Sequence, residues 1–154
     1  MTGLPEEVLV EADLFISYLT GDKFVEKFDL IVEAARAGTS KLFTSSEVFD
    51  DVISALRSQK RTLSEAAHFV ADMNAIPFQS IPVTASVAVR AMELYAAYGG
   101  RGRLHYFDAF HVATAVQHTI PLATSDLYIV RNAEALGVKT VNIRRLGKSA
   151  SNNP

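Results

Sequence analysis

His105 to Asp126 reads HYFDAFHVATAVQHTIPLATSD, and this stretch decides the architecture. Tyr106 to His118 has helical character. Phe107, Ala109, Phe110, Val112, Ala113 and Ala115 make that helix apolar over much of its circumference. Pro121-Leu122-Ala123-Thr124 then reads as a short strand, and Asp126 follows directly. Asp108 sits near the start of the apolar helix. A carboxylate there is costly unless it is paired or bound to a metal. Taken alone, Asp108 reads equally well as a metal ligand or as a residue that caps its helix or pairs with Arg103 or His111.

The same alternation extends outward in both directions. Val8-Leu9-Val10 is a short buried strand ending at Glu11, and Leu14 to Leu19 a short helix. Asp22 to Ala37 has helical spacing and stops at Gly38. Lys41 to Thr44 is a second strand, after which Ser45 or Ser46 caps a helix with Val48, Phe49, Val52, Ile53 and Leu56 inward. Thr62 or Ser64 opens a helix to about Asn74, and Pro77 to Val83 is extended. Thr84 caps a helix to Tyr98, and Gly99 to Arg103 is a loop. Asp126 to Leu136 is a helix closed by Gly137, and Val138 to Ile143 is a last strand. Short strands alternating with helices predict an α/β fold, a parallel sheet of four or five strands covered on both faces. One domain over residues 1–146 is expected, with a polar, disordered tail over 147–154.

Composition agrees. The chain has 154 residues, 49% hydrophobic and 21% charged, which is globular. It contains no cysteine, so disulfides, thiolate zinc sites and a cysteine nucleophile are excluded. A cytoplasmic location is expected. No signal peptide and no membrane span are read from the sequence. The formal net charge of −2 gives no global attraction to nucleic acid, so any such contact depends on local basic clusters. These are Arg57, Lys60 and Arg61; Arg101 and Arg103; and Arg144, Arg145 and Lys148.

Ligands of open parallel sheets bind beyond the carboxyl ends of the strands. Glu11 and Asp13 follow the first strand, Glu47, Asp50 and Asp51 the second, and Asp126 the fourth. Asp108 joins them from its helix. Clustered carboxylates repel one another, and a divalent cation removes that penalty. An all-oxygen set suits Mg²⁺ or Mn²⁺, which assist phosphodiester hydrolysis.

From Val8 to about Ile143 the chain resembles the PIN-domain family. The register Val10, Glu11, Ala12, Asp13, Leu14-Phe15-Ile16 matches the family's opening strand, acid, small residue and apolar run. Thr124-Ser125-Asp126 matches its "TSD", and Asp108-Ala109 with Ala113 and Ala115 matches its "D-A-x-x-x-A-x-A" helix. The resemblance implies a three-layer α/β/α nuclease that binds Mg²⁺ or Mn²⁺ and cuts RNA. Within the family, small single-domain members resemble VapC-type toxins of toxin–antitoxin pairs. An antitoxin protein is then the expected partner. The family's opening Asp falls on Glu11, with Asp13 two positions on, so either or both supply the first ligand. Its helical Glu falls on Asp51, with Glu47 one turn earlier as the alternative. The implied catalytic and metal set is Glu11, Asp13, Asp51, Asp108 and Asp126. The alternative function is a PIN-fold module that binds RNA or protein and cleaves weakly or not at all.

Arg101 and Arg103, on the glycine-rich loop before Asp108, are candidate phosphate contacts. Ser125 is a candidate substrate contact or an orienting group. A hydrolase triad of Ser125, His111 and Asp108 is disfavoured, because no G-x-S-x-G is present. The apolar helices at 48–56 and 63–76 exceed what one small sheet must bury, which predicts a homodimer face or an antitoxin groove.

Overall fold

A computed structural model describes residues 3–147. The polar tail from 148 onward, including Lys148, lies outside the described residues. The strands are β1 (Glu7–Val10), β2 (Lys41–Ser45), β3 (Gln79–Ile81), β4 (Leu122–Thr124) and β5 (Thr140–Asn142). The helices are α1 (Ala12–Thr20), α2 (Val25–Arg36), α3 (Val48–Ser58), α4 (Leu63–Asp72), α5 (Ala85–Tyr98), α6 (Tyr106–His118), α7 (Leu127–Arg131) and α8 (Ala133–Leu136).

All five strands are parallel, in the order β3-β2-β1-β4-β5. Strand β1 alternates its side chains between two cores. Val8 and Val10 pack with α1, α2 and α3, while Leu9 packs with α5 and α6. Both faces are apolar because both are covered, as the uninterrupted Val8-Leu9-Val10 run requires. The result is the expected three-layer α/β/α arrangement.

The strand order also fixes where a site can form. The chain builds outward from β1 through β2 to β3, then crosses to β4 on the other side of β1. The order therefore reverses between β1 and β4, and their carboxyl ends open a crevice. Helix α3 leaves the end of β2 at this same edge. Helix α6 delivers the chain to the start of β4, so its first turn, with Asp108, returns to that edge.

Three local expectations differ. Neither Ser45 nor Ser46 caps α3 directly. Ser45 Oγ accepts the Glu47 N–H at 3.2 Å, and Ser46 Oγ accepts the Val83 N–H at 2.9 Å, tying the end of β3 to β2. The helix expected over Asp126–Leu136 breaks at Asn132, whose side-chain amide N–H donates to the Tyr128 carbonyl at 2.8 Å. The apolar surplus expected on α3 and α4 is largely absorbed: Phe49, Phe69 and Val70 pack against the core. Leu63 at the start of α4 stays exposed, and further exposed apolar side chains gather on α5, at Val89, Met92 and Tyr95, with Tyr106 beside them on α6.

Candidate metal centre

The crevice is a cleft of about 640 Å³, and Glu11, Asp13, Asp51, Asp108 and Asp126 all line it. Each arrives by a different route. Glu11 directly follows β1, at the N-cap position of α1, and Asp13 lies in the first turn of α1. Asp51 lies in the first turn of α3 and Asp108 in that of α6. Asp126 follows β4 and caps α7, accepting the Tyr128 and Ile129 N–H groups.

Glu11 is the deepest, only 3% exposed. Its Oε2 accepts the Thr124 hydroxyl at 3.0 Å, and the same hydroxyl accepts the Asp126 N–H at 3.0 Å. One threonine thus fixes the acid after β1 to the turn after β4. The other oxygen of Glu11, Oε1, is buried and has no hydrogen-bond partner among the described residues. Burial first, then the charges of Asp108 and Asp13, hold the Glu11 carboxyl well above its ordinary value of 4.5. Asp13 accepts the Ser125 hydroxyl at 3.3 Å. It stands in the cleft with solvent access yet ringed by protein, and partial desolvation together with Asp108 raises its carboxyl too.

Asp51 and Asp108 have distinct partners. Asp51 Oδ2 lies 2.9 Å from Nε2 of His111, which is fully buried on α6. The second ring nitrogen of His111 has no hydrogen-bond partner among the described residues. An ionised carboxylate only accepts, so His111 Nε2–H is the donor and Asp51 Oδ2 the acceptor. Asp108 pairs with His105 at 3.4 Å, which raises the His105 pKa above 6.5. Neither Arg103 nor His111 is the partner of Asp108. Carboxylate oxygens of Asp51 and Asp108 lie within 4.8 Å of each other, as do those of Asp108 and Asp126.

The donor set fits a hard divalent cation. Acids converge on one cleft, two of them carry raised carboxyls, and one buried carboxylate oxygen has no hydrogen-bond partner among the described residues. Glu47 occupies the N-cap position of α3, without a side-chain capping bond, and does not line the cleft. Of the two loop arginines, Arg103 lines it and Arg101 does not. Ser125 lines it, but its hydroxyl serves Asp13 rather than a histidine.

Other residues of the cleft were not assigned from sequence. Arg144 lines it and donates from Nε to the Ser125 carbonyl at 2.9 Å. Arg131, Asn132 and Tyr128 complete the wall on the α7 side. The pairing of His111 with Asp51 spans sixty positions, beyond any local spacing signal.

The PIN domain family model matches residues 8–135. No curated protein matches in sequence. Several solved structures share the fold. VapBC2 from Rickettsia felis, solved on a fragment of promoter DNA, aligns with a TM-score of 0.64 at 13% identity, over 88% of this chain and 98% of that one. FitAcB from Neisseria gonorrhoeae aligns at 0.61 and 14% identity, over 90% and 99%. VapC20 from Mycobacterium tuberculosis, a sarcin–ricin loop cleaving toxin, aligns at 0.57 and 17% identity, over 75% and 86%.

Proposed function

The chain belongs to the PIN domain family, and from that premise we propose that it is a Mg²⁺- or Mn²⁺-dependent endoribonuclease, the toxin of a toxin–antitoxin pair. The observation that carries this reading is the buried, unpartnered Oε1 of Glu11 at the bottom of a cleft lined by four further acids. Glu11, Asp13, Asp51, Asp108 and Asp126 would hold the ion. When bound, such an ion supplies Lewis-acid stabilisation of the phosphodiester and makes attacking water more acidic.

The remaining work falls to the chain itself. Thr124 orients Glu11, Ser125 orients Asp13, and His111 fixes the rotamer of Asp51. His105 and Arg103 stand where a phosphate would meet the rim, and both are positioned to offset its charge. The toxin reading draws on the solved neighbours that are VapBC and FitAB assemblies. Its partners would be an antitoxin protein and a second copy of the chain. The exposed Val89, Met92 and Tyr95 of α5 offer an apolar surface for either.

The test is cleavage of single-stranded RNA with Mn²⁺ or Mg²⁺. EDTA should stop it. Asp108→Asn and Asp126→Asn keep side-chain size and should each lower the rate about tenfold or more, a loss of about 1.4 kcal/mol or more in transition-state stabilisation. EDTA-resistant cleavage that survives both substitutions refutes the mechanism. RNA binding without cleavage on a broad panel favours the binding-module alternative.

A further inference from the structure

Beside the acidic floor, two cations share one aromatic ring. The Lys23 ammonium stands 4.9 Å from the centroid of Phe24, and the Arg144 guanidinium carbon 5.1 Å from the same centroid. They come from distant parts of the chain. Lys23 precedes α2, and Arg144 lies in the helical turn that follows β5. The electron-rich face of the ring attracts each cation, so one aromatic side chain holds both.

Among the described residues neither cation forms an ion pair with a carboxylate. The acid adjacent to Lys23 is committed elsewhere: Asp22 Oδ2 accepts the Ser17 hydroxyl at 2.7 Å, and its Oδ1 the Phe24 N–H at 2.9 Å. Arg144 is held at a second point, by its Nε–H bond to the Ser125 carbonyl. That bond leaves the two terminal amino groups, the planar fork that fits a phosphate. Ser125 precedes Asp126, so the guanidinium is fastened to the wall of the cleft that holds the acids.

We propose that Arg144 and Lys23, carried on Phe24, form a subsite for one non-scissile phosphate of the RNA, on the Asp126 side of the acidic floor. This rests on the reading that RNA is the substrate. A net-negative chain with an acidic floor repels a polyanion, so strand binding needs cations placed just beyond the floor. Arg103 and Arg131 also line the cleft, but Lys23 is outside it, so the subsite takes a strand longer than the reacting unit.

The experiment measures binding of a short, fluorescein-labelled single-stranded RNA by anisotropy, across a salt series, in an Asp108→Asn background that does not consume the probe. Lys23→Ala and Arg144→Ala should each weaken binding about fivefold or more at low salt. Each should also lower the slope of log Kd against log salt by about 0.7, the value of one phosphate on a single strand. The double variant should lose no further slope, because both side chains hold one phosphate. Arg144→Lys should restore slope but not full affinity, since the ammonium lacks the fork. Phe24→Leu should weaken binding without a change of charge. Unchanged slope and affinity in both alanine variants, with the parent binding RNA, overturns the subsite. A double variant losing twice the slope overturns the shared phosphate. Loss of inorganic phosphate binding with RNA affinity intact shows a free-anion site and also overturns it. A parent that neither binds nor, with Asp108 restored, cleaves RNA defeats the nuclease reading itself.

Discussion

Glu11→Gln should stabilise the metal-free protein. The wild-type carboxylate is 3% exposed, satisfied at Oε2 by Thr124 and unsatisfied at Oε1. A buried unsatisfied group costs about 1–3 kcal/mol, and more when charged. Glutamine keeps an oxygen for Thr124, removes the charge and offers an N–H₂ to the neighbouring carboxylates. For a chain of this size, about 2–4 °C per kcal/mol gives a rise of about 2–12 °C in Tm. The effect has a fixed sign with pH. The folded-state pKa of Glu11 is raised, so the fold binds its proton more tightly than the unfolded chain does. Stability from that proton is fully present below the ordinary value of 4.5 and is lost as pH rises through the raised pKa. The advantage of glutamine should therefore be absent at pH 4 and grow towards pH 8. Saturating Mn²⁺ should reverse the order: a hundredfold excess over Kd adds about 2.7 kcal/mol to a binding-competent fold, and the variant should lose most of that. Thermal melts in EDTA and in Mn²⁺, at several pH values, make the measurement. Equal melting in EDTA at pH 8, or a pH-independent advantage, refutes the account of Glu11.

Three further outcomes are expected. His105 should titrate above its ordinary value of 6.5 in an NMR pH series, and return towards it in Asp108→Asn, because the carboxylate of Asp108 is the main cause of the shift. Asp126→Ala should cost about 0.5–2 kcal/mol of stability through loss of the α7 cap, while Asp126→Asn should cost less, since both leave the metal site but only asparagine keeps an acceptor for Tyr128 and Ile129; urea unfolding separates the two. Glu11→Asp combined with Asp51→Glu should retain more Mn²⁺ affinity by calorimetry than the two single losses predict, because one substitution withdraws an oxygen by a methylene and the other advances one. Strict additivity would show that the two acids do not share an ion.

The sheet was legible because it is buried on both faces. Val8-Leu9-Val10 and Leu122-Ala123-Thr124 are short buried runs without amphipathic alternation, and such runs between helices have few other uses. The acids were legible for a related reason. Glu11 and Asp126 interrupt the chain just where a strand ends, and Asp108 interrupts a helix that is otherwise apolar. Those positions needed no knowledge of which strands pair. The choice between Asp51 and Glu47 did need it. They share a face of α3 one turn apart, and only the packing of α3 against α6, with His111 on Asp51, brings one to the cleft and leaves the other at the cap.

Arg144 shows where sequence spacing runs out. Beside Arg145 and Lys148 it is one cation in a basic C-terminal run, with nothing local to separate it from solvated surface. Its role depends on β5 lying next to β4, which sets the turn after β5 against the turn after β4. That adjacency lets Nε reach the Ser125 carbonyl and the guanidinium reach Phe24, from a helix start at the other end of the chain. The same adjacency explains why the cleft joins an acidic floor to a cationic rim. The floor is built where the strand order reverses, from residues that immediately follow or face β1 and β4. The Arg144 part of the rim comes from the next strand outward and from the helices that cover it. The proposed cation site and the proposed polyanion path would thus lie side by side because of the topology, and a net charge of −2 conceals both.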